Sequence, residues 1–178
     1  MLFQHWGARP EEIEGPFVGD ELVPDATLLA TRSISLDAPP GRVYPWLAQM
    51  GFGKAGWYSY DWLDNLGRRS ATEIRDDWQV EEGGEIPGGP ITFTAPIARP
   101  GTSFVLAVLR PRIGFTLAYE LRPEGDGTRL VTRLRVRLRV PGCRLIEQLI
   151  LGPGDGIMVR RQLLGLAART ANNTATDT

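Results

Sequence analysis

The sequence predicts an α+β domain in which a curved antiparallel sheet wraps around a long C-terminal helix, with two short helices after the first strand. Three observations carry that prediction. Residues 72–140 are strand-like, broken by turn-rich clusters and free of any helical period. Two of these strands place their apolar residues on one face only, so the sheet needs a cover. The helix expected at 157–171 is apolar over more than half of its circumference and is the long helix left to supply that cover.

Taken in order, residues 1–26 read as an irregular arm with one short helix. Pro10 stands at its first position, Glu11 and Glu12 follow in the first turn, and Gly15-Pro16 ends it. In residues 27–36, Leu28, Ala30, Arg32, Ile34 and Leu36 alternate with smaller polar residues, which marks the first strand. Asp37-Ala38-Pro39-Pro40 is a turn into a helix, with Asp37 available as its cap. Val43, Trp46, Leu47 and Met50 form one helical stripe there, Pro45 bends it, and Gly51 and Gly53 stop it. A second short helix is predicted over 59–66, capped by Ser59, with Asp61 in its first turn and Gly67 as terminator.

The clearest hairpin joins residues 114–122 to 129–140. Phe115, Leu117, Tyr119 and Leu121 share one face of the first strand, and Leu130, Thr132, Leu134, Val136, Leu138 and Val140 share one face of the second. The other face carries Glu120, Arg133, Arg135, Arg137 and Arg139, and is expected to meet water. Beyond Pro141-Gly142 a helical stretch with Leu145, Ile146, Leu149 and Ile150 is predicted to break at the glycines of 152–156. The last helix then presents Met158, Leu163, Leu164, Leu166 and Ala167. The chain therefore divides into an arm (1–26), one domain (27–171) and a polar tail (172–178).

With 178 residues, 42% hydrophobic and 23% charged, the composition is that of one globular domain. Twenty basic against 21 acidic residues leave a net charge of −1, which disfavours nucleic acid as a partner. The lone Cys143 cannot close an internal disulfide, and with His5 the only histidine the usual zinc sets are missing. No cofactor is expected. The N-terminus lacks the pattern of a secretory signal and no segment reads as a membrane span, so a cytoplasmic location is expected. The glycine clusters lack phosphate-loop spacing, and His5 has no recognisable nucleophile beside it. The oligomeric state is left open.

Three runs carry a family likeness: Asp20-Glu21-Leu22-Val23-Pro24, Asp37-Ala38-Pro39-Pro40 with Trp46-Leu47-Ala48-Gln49-Met50-Gly51, and Gly56-Trp57-Tyr58-Ser59-Tyr60-Asp61-Trp62-Leu63-Asp64-Asn65-Leu66-Gly67. Together with Arg160, Arg161, Leu163, Leu164 and Gly165 of the last helix, the sequence resembles actinobacterial members of the SRPBCC superfamily. That superfamily includes START lipid-binding domains, birch-pollen-allergen-like proteins, and polyketide cyclases and dehydratases. The resemblance implies a helix-grip fold around an internal cavity. It implies no shared catalytic motif.

Trp57, Tyr58, Tyr60 and Trp62 place four of the nine Trp and Tyr residues within six positions, a density suited to a cavity mouth or to helix packing. Helical spacing sets Tyr58, Asp61 and Asn65 on one face, where Asp61 would act as a general base or simply favour the helix N-terminus. Arg160 lies on the enclosed helix, where it would either meet an anionic ligand group or run along the helix edge into solvent. The candidate polar set is therefore Tyr58, Asp61 and Arg160. The candidate ligand wall is Trp46, Trp57, Tyr60, Trp62, Phe115, Tyr119 and Met158. The leading reading is a carrier or sensor for a small, mainly apolar molecule. A cyclase, aromatase or dehydratase acting on a polyketide-like substrate, and a protein-interaction module, stay open beside it.

Overall fold

The computed structural model describes residues 4–139 and 152–172. Strands β1 (Leu28–Leu36), β2 (Glu85–Pro87), β3 (Thr92–Arg99), β4 (Ser103–Arg110), β5 (Ile113–Glu124) and β6 (Gly127–Leu138) form one curved antiparallel sheet in the order β1-β6-β5-β4-β3-β2. Helices α1 (Pro10–Glu14), α2 (Pro40–Ala48) and α3 (Asp61–Asp64) are short, and α4 (Gly152–Asn172) is the long helix that the sheet grips. This is a helix-grip fold.

The β5–β6 register sets Leu117 opposite Leu134 and Tyr119 opposite Thr132, so the apolar residues of both strands share the concave face. Phe104, Leu106, Leu130 and Leu134 are buried there against Val159, Leu163 and Leu166 of α4 and Val43, Trp46 and Leu47 of α2. Full burial of each aliphatic side chain is worth about 1.5–3 kcal/mol, so this face holds the domain together. Gly165 lets α4 approach closely: a Cβ there would fall on the carbonyl oxygen of Tyr58.

The local elements depart from the sequence expectation in four places. Asp37 does not cap α2, whose N-cap position is Pro39 without a side-chain bond. The second short helix spans only Asp61–Asp64, because Tyr58 and Leu66 on either side of it adopt positive φ values of 58° and 51°. Residues 152–156 do not break the chain but open α4, since proline is tolerated in a first turn. The helical stretch expected at Leu145, Ile146, Leu149 and Ile150, together with Cys143, Val140 and residues 173–178, lies outside the described residues.

The fourth departure is the outer face of the sheet, which is not solvated over β6. Residues 5–25 of the arm run across it. Arg133 is 3% exposed and donates to the carbonyls of Glu12, Ile13 and Gly15 and to Asp20. Arg129 donates to both carboxylate oxygens of Glu12, at 2.8 and 2.9 Å, and to the Gly7 carbonyl. Phe17 packs on Val105, Ala118 and Val131 as a second, smaller apolar cluster. An irregular arm leaves backbone carbonyls without ladder partners, and the guanidinium forks satisfy them. Arg139, at the strand's far end, stays exposed and pairs with Asp25 at 2.6 Å.

Candidate ligand cavity

The concave face is filled on the side of the C-terminal half of α4 and open on the side of its N-terminal half. A cavity of about 800 Å³ occupies that opening. Its floor is Leu106 of β4 with Phe115 and Leu117 of β5. One wall is Phe93 of β3 with the β2–β3 turn, Gly88 to Pro90, and the opposite wall is Gly154, Met158, Val159 and Gln162 of α4. Phe52, Trp57 and Ser59 from the α2–α3 connection close it from the side, with Leu63, Asp64 and Leu66 at the rim.

Three aromatic rings form a continuous chain through this space. Trp57 meets Phe93 edge-on at 5.8 Å, and Phe93 meets Phe115 at 5.6 Å in a tilted pair. Each ring fixes the next, so the wall stands without filling the space it borders. At the rim Leu63 and Leu66 are exposed, at 53% and 76%.

Among the described residues, the polar side chains on the lining are Ser59, Gln162 and Asp64. Ser59 donates to the Met158 carbonyl at 3.0 Å, which ties the α2–α3 connection to α4. Gln162 accepts from the Tyr119 hydroxyl at 2.7 Å and donates to the Met50 sulfur at 3.4 Å, so both ends of its amide are engaged. Asp64 differs: both carboxylate oxygens are withdrawn from solvent, and backbone groups of Tyr60 and of Asp64 itself hydrogen-bond them. Burial, and the charge of Asp61 one turn earlier, push its carboxyl up to about 6.

Of the residues singled out from sequence, Trp57, Phe115 and Met158 line the cavity. Tyr119 lies behind it and holds Gln162. Trp46 is fully buried in the core, edge-on to Tyr58 at 5.9 Å. Tyr60 is the N-cap residue of α3, and Trp62 is 72% exposed; neither is on the lining.

The structure does not bring Tyr58, Asp61 and Arg160 together. The Tyr58 hydroxyl donates to the Trp46 carbonyl and accepts from Gln49, both at 3.0 Å, and its burial pushes the phenol well above its ordinary value. Asp61 is occupied by the Ser70 amide and hydroxyl. Arg160 is exposed, with its guanidinium 5.2 Å from the Trp6 ring. The helical spacing that grouped Tyr58 with Asp61 fails because Tyr58 lies outside α3 in a left-handed conformation.

The sequence reading missed Phe93, Asp64 and Gln162 on the lining, and also Arg169. Arg169 covers the Tyr58 ring at 4.6 Å and donates to the Ala71 and Gly165 carbonyls, and burial holds its guanidinium below the ordinary value. For Gln162 a signal existed: with Met158 and Val159 it continues the stripe of α4 that faces the sheet. Asp64 carried none, since an aspartate beside the exposed Leu63 reads as surface.

Among the described residues no helix is long and apolar enough to cross a membrane, and no cluster of three or more His, Cys, Asp or Glu is placed to hold a metal ion.

No protein-family model matches this sequence, and no curated protein matches it either. Solved structures do. A Nitrosospira multiformis protein is 16% identical over 83% of this chain and 99% of that one, with a TM-score of 0.53. A Mesorhizobium loti protein is 12% identical over 82% and 98%, with a TM-score of 0.51. A Thermus thermophilus protein is 16% identical over 82% and 99%, with a TM-score of 0.50. Each of these chains is spanned almost end to end, and at such identities the likeness establishes the fold they share with this protein.

Proposed function

We propose that this protein binds a small, mainly apolar molecule in the cavity between α4 and the β3–β5 side of the sheet, as a carrier or sensor. The observation that carries the reading is the cavity itself: about 800 Å³, walled by Trp57, Phe93, Phe115, Leu117 and Met158, with three polar side chains among its described lining. Ligand sites have this size, this apolar character and this small number of placed polar groups. The fold and the sequence runs set out above together support membership of the SRPBCC superfamily, in which such cavities take small molecules.

A cyclase or dehydratase needs several polar groups converging on the substrate. Tyr58 and Asp61 are engaged elsewhere and Arg160 is exposed, so they supply none. Binding is therefore the reading favoured over catalysis.

The test is titration of a neutral, environment-sensitive dye such as Nile red, followed by native mass spectrometry for a retained host molecule. Trp57→Ala is expected to weaken dye binding about tenfold, the worth of a partly buried aromatic face. Trp62→Ala, off the lining, is expected to leave it unchanged. Equal effects of the two substitutions, with far-UV circular dichroism intact, would overturn the assignment of the site.

A further inference from the structure

We infer that the end of the molecule on which the cavity opens docks on an anionic lipid bilayer, with the cavity mouth turned toward the lipid. Four chain segments meet at that end. The antiparallel register sets the start of β3 beside the end of β4, and the end of β4 beside the start of β5. The β2–β3 turn and the first turns of α4 line the cavity there, and α3 stands at its rim.

Eight large hydrophobic residues are exposed among the described residues, and seven of them lie on these segments. Trp62 and Leu63 stand on α3, and Leu66 on the turn behind it. Ile91 follows the lining residue Pro90, and Ile157 precedes the lining residue Met158. Leu109 and Ile113 flank the β4–β5 hairpin tip, where Ile113 continues the row of Phe115 and Leu117 on the cavity floor. Exposed apolar residues scattered singly need no explanation, but their gathering around one opening does.

The same segments carry unpaired cations. Arg68 and Arg69 follow Leu66-Gly67, and Arg110 and Arg112 stand in the hairpin tip between Leu109 and Ile113. All four are exposed, and none joins an ion pair among the described residues. The arginines of the convex face differ, since Arg129, Arg133, Arg135, Arg137 and Arg139 each have an acidic partner. Against the four, α3 sets two acids, Asp61 and Asp64, so positive charge prevails at the mouth although the whole chain carries −1.

This combination fits a bilayer better than a folded partner. The apolar residues stand on separate tips around a hole, whereas a stable protein interface needs a continuous, well-packed face. Lipid closes around each tip without one. Aromatic and aliphatic side chains enter the boundary between headgroups and acyl chains, and guanidinium groups on their long stems reach the anionic headgroups. A neutral surface offers the arginines no such attraction.

The experiment sediments the purified full chain with sucrose-loaded vesicles of phosphatidylcholine, alone or mixed with phosphatidylglycerol. Binding to the anionic vesicles is expected to exceed that to the neutral ones by at least about tenfold and to weaken as salt is raised. Arg68→Gln combined with Arg69→Gln, and separately Trp62→Ala, are each expected to weaken it about tenfold. None of the three residues is on the lining, so both variants are expected to bind Nile red in vesicle-free solution as the wild type does, which also shows them to be folded. Equal binding to neutral and anionic vesicles, or undiminished binding by either variant, would overturn the inference. A chain that binds Nile red but sediments with neither vesicle would overturn it and leave the cavity reading intact; self-association lost in Trp62→Ala would then assign this end to a second copy. Sedimentation with anionic vesicles by a chain that binds no Nile red would uphold docking and sink the cavity reading alone.

Discussion

Replacing Glu12 by glutamine is expected to uncouple the arm from the sheet, and the cost is readable as a pH dependence. Glu12 is 3% exposed, and burial alone would push its carboxyl up. Hydrogen bonds from the Arg129 guanidinium, the Arg9 amide and the Ser33 hydroxyl, with the Arg129 charge, more than offset this and bring it from 4.5 down to about 2. At about 1.4 kcal/mol per pH unit, that difference corresponds to about 3 kcal/mol of stability. Because the folded value is the lower one, the contribution is complete above pH 4.5 and is lost as pH falls from 4.5 towards 2. The assay is urea denaturation followed by tryptophan fluorescence at pH 7, 5, 4 and 3, for wild type and Glu12→Gln. The wild type is expected to be more stable by about 3 kcal/mol at pH 7, and the gap is expected to narrow by about 2 kcal/mol at pH 3. A gap that stays constant to within roughly 0.5 kcal/mol across that range would refute the reasoning, since glutamine does not titrate.

Arg135→Glu is expected to destabilise by about 2–3 kcal/mol, because Arg135 donates to the Val23 and Pro24 carbonyls and faces Asp20 at 3.3 Å; an effect below roughly 0.5 kcal/mol in chemical denaturation would mean that the arm does not cover this face in solution. Leu134→Ala, on the concave side, is expected to cost about 2–5 kcal/mol, since Leu134 is 2% exposed in the main core. Gly165→Ala reverses the usual helix rule: Ala normally gains about 1 kcal/mol over Gly in a helix, but here its methyl lands on the Tyr58 carbonyl, and a loss of about 1–3 kcal/mol is expected in thermal melts.

The concave half of the sheet was legible in the sequence because a period of two needs no knowledge of what lies across from it. Phe115, Leu117 and Tyr119 alternate with Thr116 and Ala118, and β6 answers in register. The convex half was misread for the same reason. Arginine at every second position says only that the face is polar, and water and a row of arm carbonyls satisfy a guanidinium equally well. The site followed a similar division. Trp57, Phe115 and Met158 were found as large apolar residues on elements that must face the cavity. Trp62 was not separable from them, since Tyr58, between Trp57 and Trp62, is left-handed and no helical period carries direction across it. Asp64 was not legible as a lining residue, because only the folded chain withdraws its carboxylate from solvent.

The size of the cavity argues that it is more than a gap in packing. At about 24 cal/mol per Å³, a sealed apolar void of about 800 Å³ would cost on the order of 19 kcal/mol, which exceeds the entire folding free energy of a typical domain, about 5–15 kcal/mol. The space is therefore occupied, by water entering past Leu63 and Leu66 or by a ligand. Water against Leu106, Leu117 and Phe115 forms few hydrogen bonds to the wall, so an apolar molecule that displaces it gains free energy. The chain itself does not close the space, for reasons visible in its residues. Gly88, Gly89 and Gly154 bring no side chains to the lining, and Trp57, Phe93 and Phe115 brace one another. At the other end of α4, Leu163, Gly165 and Leu166 let helix and core meet directly. One helix thus seals half of the sheet with close contact and holds the other half open, and the opening falls where the aromatic wall and Asp64 stand.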